Sequence, residues 1–451
     1  MGSDLKVVNA SLPLLEEGRL YTLAAKGGKW ETIVAQEGYD RAPDAVSVEE
    51  WNGGADVTLD AKGNIVLPGL ADAHMHLDKA FSLPQVGNGS GTLEEAVLNY
   101  SAAAPAFTKR EIKARIMRSA LQAVSFGTTH IRTHLDFQVK HGKEVAMRTV
   151  EAALEVKQEL EPYVTIQLFP MLPYYDLTRE AIEAAEEALR MGVTGVGGAP
   201  HLAPAPEPDI DRLFALAARF DRPLDLHTDE SDDPNIRTAA YIARRTLDYG
   251  WSGRVTVDHL CSLAAMPDGD AARIIALMAE AGLSAVTLPG ANMYLQGRRD
   301  SFPVRRGVTR VKELLAAGVP LASASDNIHD PFHPFGKGDL LQIALITAYA
   351  AHMGSPAEIR TVLRMITEHA AKVIGQADYG LRPGCDADMV MLDAASPEEL
   401  FAMLPDRRWV WRKGKAIRLA GSKPSWVQPD LRARWEEAEQ EVSFAKGREF
   451  R

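Results

Sequence analysis

Eight short runs of apolar and β-branched residues recur through the middle of the chain, and helix-like segments separate them. These runs are Gly69–Met75, Thr128–His134, Val164–Phe169, Val193–Gly198, Pro223–His227, Arg254–His259, Ser284–Pro289 and Pro320–Ser325. The segments between them, such as Lys143–Leu160 and Asp268–Ala281, have helical periodicity and are rich in Ala, Leu and Glu. Strands that alternate with helices of this size form a parallel sheet. The sequence therefore predicts an α/β protein with a (β/α)8 TIM barrel. A doubly wound open sheet is the alternative, but no phosphate loop or GxGxxG motif supports it.

The two ends of the chain have a different pattern. Up to about residue 66, short strand-like pieces such as YTLAAKGGKWETIVA are separated by Gly and Asn. After a predicted helix at Ala357–Ile374, the same style returns in CDADMVMLDA and RRWVWRKGKAIRLAG. We therefore expect residues 1–66 and 380–451 to form one small β-sandwich and residues 67–379 to form the barrel. The tail Asp430–Glu441 has the pattern of a charged helix.

The composition excludes several classes of protein. The 451 residues carry 50 Lys and Arg against 61 Asp and Glu, so the net charge of -11 gives no overall attraction to nucleic acid or anionic lipid. No apolar run reaches the roughly 18 residues that a membrane span requires. The amino-terminal MGSDLKVVNA lacks the apolar stretch of a secretory signal. With only 2 Cys, we expect reduced thiols and a cytoplasmic protein.

Histidines gather at the ends of the predicted strands, where the active site of a TIM barrel is assembled. The residues at these ends are His74, His76, His134, His227, His259 and, directly after the eighth strand, Asp326. The side chains of His74 and His76 share one face because strand side chains alternate with period two. An isolated His-x-His pair is more often a surface or core pair. With His227 and Asp326 at matching strand ends, however, the pattern favours a site for a divalent metal.

Two further residues at these ends are candidates for moving protons. Glu230 follows His227 by three residues in HTDESDD, so its carboxyl group can take a proton from water and deliver it to a substrate. The alternative is a solvated loop acid, because three Asp residues crowd beside it. His259 can orient or deprotonate the water, and its alternative is a hydrogen-bonded core histidine.

Several motifs together resemble a known family. They are HMHLDK (His74–Lys79), RTHLD (Arg132–Asp136), HTDESDD (His227–Asp233), VDHL (Val257–Leu260), LQGRRDSFPVRRGVTRVKELL (Leu295–Leu315) and SDNIHDPFHPFGKGD (Ser325–Asp339). They look like the amidohydrolase superfamily, and more narrowly its cytosine deaminase branch, which includes the N-isopropylammelide isopropylaminohydrolase of triazine degradation. The resemblance runs from about residue 66 to residue 378.

The resemblance implies a reaction and a role for each residue. One divalent ion, Zn2+ or Fe2+, would be bound by His74, His76, His227 and Asp326. Glu230 would be the proton shuttle, while His259 and Asp326 would orient and activate a metal-bound hydroxide. The hydroxide would attack an amino-substituted N-heterocycle, a cytosine-like pyrimidine or related ring, and expel ammonia. The alternative is hydrolysis of an N-alkylamino triazine or pterin-type ring, or of an exocyclic amide or carbamate, at the same site.

The metal site is expected to hold one ion. Binuclear relatives carry a carboxylated Lys at the end of the fourth strand, whereas this chain has GVGGAPH there, at Gly195–His201. A catalytically inactive scaffold is disfavoured because all four ligand positions are filled. A nucleic-acid deaminase is disfavoured because the chain is acidic and lacks the HxE…PCxxC signature. The partner is then a small heterocyclic substrate, and a homo-oligomer remains open by analogy.

Four positions near the site are expected to contact the substrate. Met171 stands where the branch has a Gln that reads a pyrimidine amide, and Met cannot supply that paired donor and acceptor. Asn327 replaces an acid after the metal-binding Asp, and Phe332 replaces a Trp. Lys79 matches a Lys of the isopropylammelide hydrolase and can contact a carbonyl-rich ring. Its alternative roles are a partner for Asp78 or a cation at the surface of a lid.

Overall fold

The computed structural model describes residues 4–54, 56–172, 177–406 and 408–419. The predicted helix Asp430–Glu441 lies outside these residues. The chain divides into two compact units. One comprises Met1–Leu70, Gly354–Glu368 and Ala377–Arg451, and the other comprises Ala71–Met353 and His369–Gln376. Among the described residues, no helix is both long and apolar enough to cross a membrane.

The described residues form seventeen strands, numbered in chain order. They are β1 Leu5–Ser11, β2 Leu20–Lys26, β3 Lys29–Ala35, β4 Val46–Ser47, β5 Thr58–Asp60, β6 Ile65–Pro68, β7 Leu70–Met75, β8 Thr128–Asp136, β9 Thr165–Leu172, β10 Val196–Gly198, β11 Leu224–Thr228, β12 Val255–His259, β13 Ser284–Thr287, β14 Leu321–Ser323, β15 Met389–Leu392, β16 Arg408–Arg412 and β17 Lys415–Arg418.

The same residues form fourteen α-helices. They are α1 Leu93–Ala103, α2 Lys109–Ser125, α3 Lys143–Leu160, α4 Arg179–Met191, α5 Pro206–Phe220, α6 Thr238–Tyr249, α7 Cys261–Ala265, α8 Asp268–Ala281, α9 Pro289–Leu295, α10 Val311–Ala316, α11 Leu340–Ala350, α12 Pro356–Met365, α13 Glu368–Val373 and α14 Pro397–Met403. Short 3-10 helices lie at Ala104–Ala106, Val139–His141 and Pro200–Leu202.

Strands β7 to β14 form the predicted barrel. Each is hydrogen-bonded to the next in chain order, and the pairs with a resolved register are parallel. The two ends of this sheet meet where the Asp326 N–H donates to the carbonyl of His74 at 2.9 Å and the His76 N–H donates to the carbonyl of Asp326 at 3.3 Å. The (β/α)8 prediction is confirmed, and each of the eight predicted runs overlaps one barrel strand.

Two elements differ from the pattern in the sequence. β9 was expected to end before Pro170, since proline cannot donate to a ladder, but it continues to Leu172. Pairing with β8 persists on both sides of the proline, through His134↔Phe169 and Asp136↔Met171. The single helix expected at Ala357–Ile374 is two helices, α12 and α13. The Thr367 hydroxyl between them donates to the carbonyl of Leu363 at 2.7 Å, a local bond that often bends a helix.

Both ends of the chain build the second sheet, as predicted. Its strand order within the described residues is β17-β16-β15-β6-β1-β2-β3, and β5 joins it by pairing with β1 and β4. β6 from the amino-terminal segment and β15 from the carboxy-terminal segment are antiparallel, with Leu67 opposite Val390. The core of this unit contains Trp30, Trp409 and Trp411, so the two segments bury their large side chains together.

Trp411→Ala is expected to destabilise this unit. Trp411 is fully buried and stacks on Trp51 with ring centroids 5.5 Å apart. Removing a buried indole costs about 3–5 kcal/mol, measurable in the denaturant midpoint of the transition that tryptophan fluorescence reports. Val34→Ala, on the exposed side of β3, is the control and should change the midpoint little. Equal effects of the two substitutions would contradict the assigned core.

Candidate metal centre and active site

The interior of the barrel is polar near its carboxyl end. Side chains at alternate positions of β7, β8, β11 and β12 contact one another inside the barrel. They are Asp72, His74, Arg132, His134, Asp225, His227, Thr256 and Asp258, and all are buried. Because buried charges require partners, this layer needs internal ion pairs, a bound cation, or both.

Four donor atoms from the predicted ligands converge at the top of this layer. The Nε2 atom of His76 lies 3.3 Å from that of His74 and 3.1 Å from that of His227. Asp326 Oδ1 lies 3.5 Å from His74 Nε2 and 3.4 Å from His76 Nε2. Four ligands at about 2.0–2.2 Å from a tetrahedral zinc ion stand roughly 3.3–3.6 Å apart. The spacing among His74, His76 and Asp326 therefore fits a bound divalent ion, and His227 approaches this group through its contact with His76.

The surroundings of these donors also favour a cation. Within the described residues, the buried Asp326 Oδ1 has no hydrogen-bond partner. Among the described residues, His74, His76 and Asp326 form one group of side chains able to hold an ion, and His74, His134, His227 and Asp258 form a second, so neither group contains all four predicted ligands. Burial alone would lower the pKa of His74, but Asp258 and Asp326 raise it to about 10. The two carboxylates therefore stabilise positive charge among the donor atoms.

Backbone conformation at the strand ends aims several of these side chains. Asp229, His259 and Asp326 have φ values of 53°, 64° and 60°, in the left-handed region that non-glycine residues seldom adopt. By simple alternation along β12, His259 would face away from the barrel interior, because Thr256 and Asp258 face inward. The left-handed turn at His259 brings its ring to the cavity instead. Strained residues of this kind cluster at functional sites.

Glu230 and His259 lie together beside the donor cluster. His259 Nδ1 is 3.5 Å from Glu230 Oε1. The amide of Asn292 bridges them, with Nδ2 3.4 Å from Glu230 Oε1 and 2.9 Å from His259 Nδ1. Sequence analysis missed Asn292. Its position on α9, directly after β13, was the available signal, because loops after barrel strands carry the site residues.

The protonation of this pair suits proton transfer. Burial, followed by the negative charge of Asp326, raises the pKa of Glu230 well above its ordinary value. Burial lowers the pKa of His259 to about 3 despite the opposing charge of Asp326. A carboxyl group whose surroundings favour its protonated form therefore stands beside a neutral imidazole.

One cavity contains these groups together with all four predicted substrate contacts. It encloses about 520 Å³ of empty space, counting its solvent-open part. Its lining includes His76, His227, Glu230, His259 and Asp326 of the site, and Lys79, Met171, Asn327 and Phe332 of the predicted contacts. The predicted site residues therefore come together, except that His74 lies behind the lining, fully buried.

Lys79 is neither at the surface nor paired with Asp78. Its side chain is 3% exposed, and Nζ lies 3.8 Å from Asp136 Oδ1. Asp78 instead accepts a hydrogen bond from the backbone N–H of Asp136 at 2.9 Å. The Lys79 ammonium also lies 4.6 Å from the centre of the Phe332 ring, a cation–π distance. The two alternatives drawn from the sequence are therefore wrong.

The cavity has further walls that sequence analysis did not single out. Leu93, Val97 and Tyr100 come from α1, and Asp136 and Gln138 come from the end of β8 and the loop after it. The sequence did indicate that Asp136 faces the cavity, because this residue lies two positions after His134 in RTHLD and shares its face of the strand. Asn327, one of the predicted substrate contacts, already has a partner within the protein, since its amide donates to Asp330 at 2.7 Å.

Below the donor cluster, a buried ion pair spans the barrel. Arg132 Nη1 lies 2.5 Å from Asp225 Oδ2 and 3.2 Å from the Thr256 hydroxyl. The Arg132 Nε donates to Gln167 at 2.8 Å, so the guanidinium is held from three strands. The floor of the site is therefore rigid and charged.

Comparison with known proteins gives concordant matches. The model of the amidohydrolase family matches residues 86–418. A pterin deaminase of Rhizobium rhizogenes is 33% identical over 369 residues, covering 79% of this chain and 82% of that protein. An N-isopropylammelide isopropyl amidohydrolase of Pseudomonas sp. is 32% identical over 376 residues, covering 80% and 87%. The structure of 5-methylcytosine deaminase from Klebsiella pneumoniae with 5-fluorocytosine matches with a TM-score of 0.85 at 28% identity, covering 93% and 99%. The family resemblance predicted from the motifs is confirmed.

Arg132→Ala is expected to cost about 3–5 kcal/mol of unfolding free energy, because it leaves the buried Asp225 carboxyl without its partner. The control is Arg179→Ala, which breaks an exposed pair with Glu183 worth at most about 1 kcal/mol. Chemical denaturation of both variants against the parent chain measures the difference. A loss for Arg132→Ala no larger than that of the control would show that the deep pair is not structural.

Proposed function

Because this chain belongs to the amidohydrolase family, we propose that it is a metal-dependent hydrolase that deaminates an amino-substituted N-heterocycle and releases ammonia. One observation carries the proposal: the His and Asp donors, Glu230 and His259 converge beside a single buried cavity. The names of two relatives agree with it, since they are a pterin deaminase and a 5-methylcytosine deaminase, and a third relative is named an N-isopropylammelide isopropyl amidohydrolase.

We assign His74, His76, His227 and Asp326 as ligands of one divalent ion, zinc or iron(II). Imidazole nitrogens and a carboxylate suit such borderline ions, and the donor spacing described above fits them. When bound, the ion lowers the pKa of a water molecule and makes it nucleophilic at neutral pH. A bridging Lys would be needed for a second ion of the binuclear type, and the end of β10 offers only Gly197, Gly198 and Ala199.

Glu230 is assigned as the proton shuttle. Its carboxylate accepts a proton from the attacking water and passes it to the ring nitrogen beside the carbon under attack. It then delivers the second proton of the water to the departing amine. The C–N bond breaks as the new C–O bond becomes a carbonyl, so one water is consumed and one ammonia is released. The raised pKa of Glu230 allows it to hold each proton between these transfers.

His259 and Asp326 are assigned to orient the attacking water. His259 lies beside Glu230 and is held by Asn292, which fixes the direction of its ring. Burial lowers its pKa, so the ring is neutral. Because Nδ1 accepts a hydrogen bond from Asn292, Nε2 carries the ring proton and can donate it to the oxygen of the water in a hydrogen bond. Asp326 lies in the same lining and supplies a second acceptor.

The walls of the cavity favour a ring with several carbonyl or aza groups over cytosine. Met171 offers an apolar face where a Gln would read the pyrimidine amide. Lys79 and Asp136 supply a donor and an acceptor on the neighbouring strand ends, and Phe332 offers a ring face. Pterin-like and triazine-like rings meet this pattern. The 32% identity to the isopropylammelide hydrolase also supports release of an alkylamine as the second candidate reaction.

The location and the partners of the protein are part of the same proposal. We propose a cytoplasmic enzyme with a small-molecule substrate and neither nucleic acid nor membrane as a partner. A homo-oligomer is consistent with the assignment and is measured directly by light scattering.

Screening the zinc- and iron(II)-loaded protein against amino-substituted pyrimidines, pterins, purines and triazines should give ammonia from at least one ring. Glu230→Gln should reduce that turnover by at least about 100-fold, because a positioned acid–base group contributes roughly that much or more, while metal content stays unchanged. Coupled ammonia detection with a parallel amine assay separates deamination from alkylamine release.

Glu183→Gln, on the exposed side of α4, is the matched control and should leave turnover unchanged. Undiminished activity in Glu230→Gln would reject the shuttle. Absence of both ammonia and amine across the panel would reject the proposed reaction.

His227→Ala should lower bound metal well below one equivalent per chain, because it removes one of four donors. Elemental analysis of the purified variant measures the loss. His141→Ala, at an exposed histidine outside the cluster, is the control and should retain the metal content of the parent. Full metal retention in His227→Ala would show that the ligand set is wrong.

A further inference from the structure

A carboxylate lies behind the donor cluster, on the far side of the His74 ring. Asp258 Oδ2 is 3.0 Å from His74 Nδ1, while His74 Nε2 faces His76 and Asp326. Both side chains are 0% exposed. The two ring nitrogens of His74 therefore face different groups. Nε2 faces the other proposed metal ligands, and Nδ1 faces a buried carboxylate.

A second imidazole lies behind this carboxylate. His134 Nε2 lies 3.7 Å from Asp258 Oδ2 and 3.5 Å from Asp225 Oδ1, and Asp225 is paired with Arg132. These groups are 4% exposed or less. Buried polar groups therefore follow one another from the Arg132 guanidinium through Asp225, His134 and Asp258 to His74 at distances of 2.5–3.7 Å, and among these contacts the Arg132–Asp225 pair is a hydrogen bond.

We propose that Asp258 is a positioning residue that fixes the orientation and tautomer of His74. An imidazole that binds a metal through Nε2 must carry its proton on Nδ1, and a carboxylate that accepts this N–H selects that tautomer. Such a partner also increases the basicity of the ligand. The inference rests on the ligand assignment made under the proposed function, and it adds a residue that touches neither the substrate nor the metal.

The position of Asp258 on β12 explains how one strand can both support a metal ligand and place a group beside the reacting atoms. Asp258 follows the inward alternation of Thr256, whereas its neighbour His259 reaches the cavity through its left-handed backbone. One strand end thereby supplies a support for a ligand and a group beside the reacting atoms.

The test is the affinity for zinc of Asp258→Asn, measured by competition with a chromogenic chelator. The amide can turn its NH2 toward Nδ1 and select the wrong tautomer, so we expect the dissociation constant to rise about 10–100-fold. The cobalt-substituted variant should also show an altered visible absorption spectrum, because the orientation of one ligand changes. Asp258→Ser, which removes the carboxylate without adding bulk, gives the same readout if the Asn variant does not fold.

Asp388→Asn is the matched control. Asp388 is a buried carboxylate paired with the buried Arg412 in the unit built from the chain ends. Its loss should reduce stability and leave zinc affinity unchanged. The inference would be overturned if the Asp258 variants kept the zinc affinity and the cobalt spectrum of the parent. It would also be overturned if the parental chain bound two zinc ions, since the buried carboxylates Asp225 and Asp258 would then be ligands themselves. Failure of the parent to bind zinc would instead reject the ligand assignment.

Discussion

The hydrogen bonds between the end of β7 and the segment after β14 organise this protein. They join the first and last barrel strands, and they do so at His74, His76 and Asp326. Residues about 250 positions apart in sequence therefore meet because the sheet closes, without a flexible loop to carry them. Since the backbones are fixed by the ladder, the donor atoms are held close to binding geometry before any ion arrives, which reduces the entropic cost of binding.

The closed barrel also explains why so much charge is buried beneath the site. An inward layer of ionisable side chains is costly unless each charge is compensated. Arg132 compensates Asp225, and a cation among the upper donors would compensate Asp326 and the carboxylate behind His74. In this arrangement metal binding and barrel stability are coupled, because the same carboxylates that attract the ion would otherwise repel one another.

Much of this architecture follows from periodicity in the sequence. The strand ends placed His76, His227, Glu230 and Asp326 on one cavity, and Met171 reached the same cavity from β9. Periodicity could not predict the side chains whose positions depend on exceptions to regular alternation. His259 faces the cavity only because of its positive φ, and Lys79 pairs with Asp136 because β8 runs two residues beyond its apolar core. Alternation along β12 places Asp258 toward the barrel interior, but alternation alone does not reveal that the His74 ring lies opposite it.

The division of the cavity into two parts suggests how one reaction can serve different rings. The groups assigned to chemistry come from the ends of β7, β11, β12 and the turn after β14, all tied by short buried contacts. The groups assigned to the ring are Met171 on β9, Asp136 at the end of β8, Lys79 after β7 and Phe332 after β14. A buried polar group left without a partner discriminates strongly between substrates. If the proposed function holds, Lys79 and Asp136, 3.8 Å apart in the cavity wall, are the groups that the wrong ring would leave without a partner.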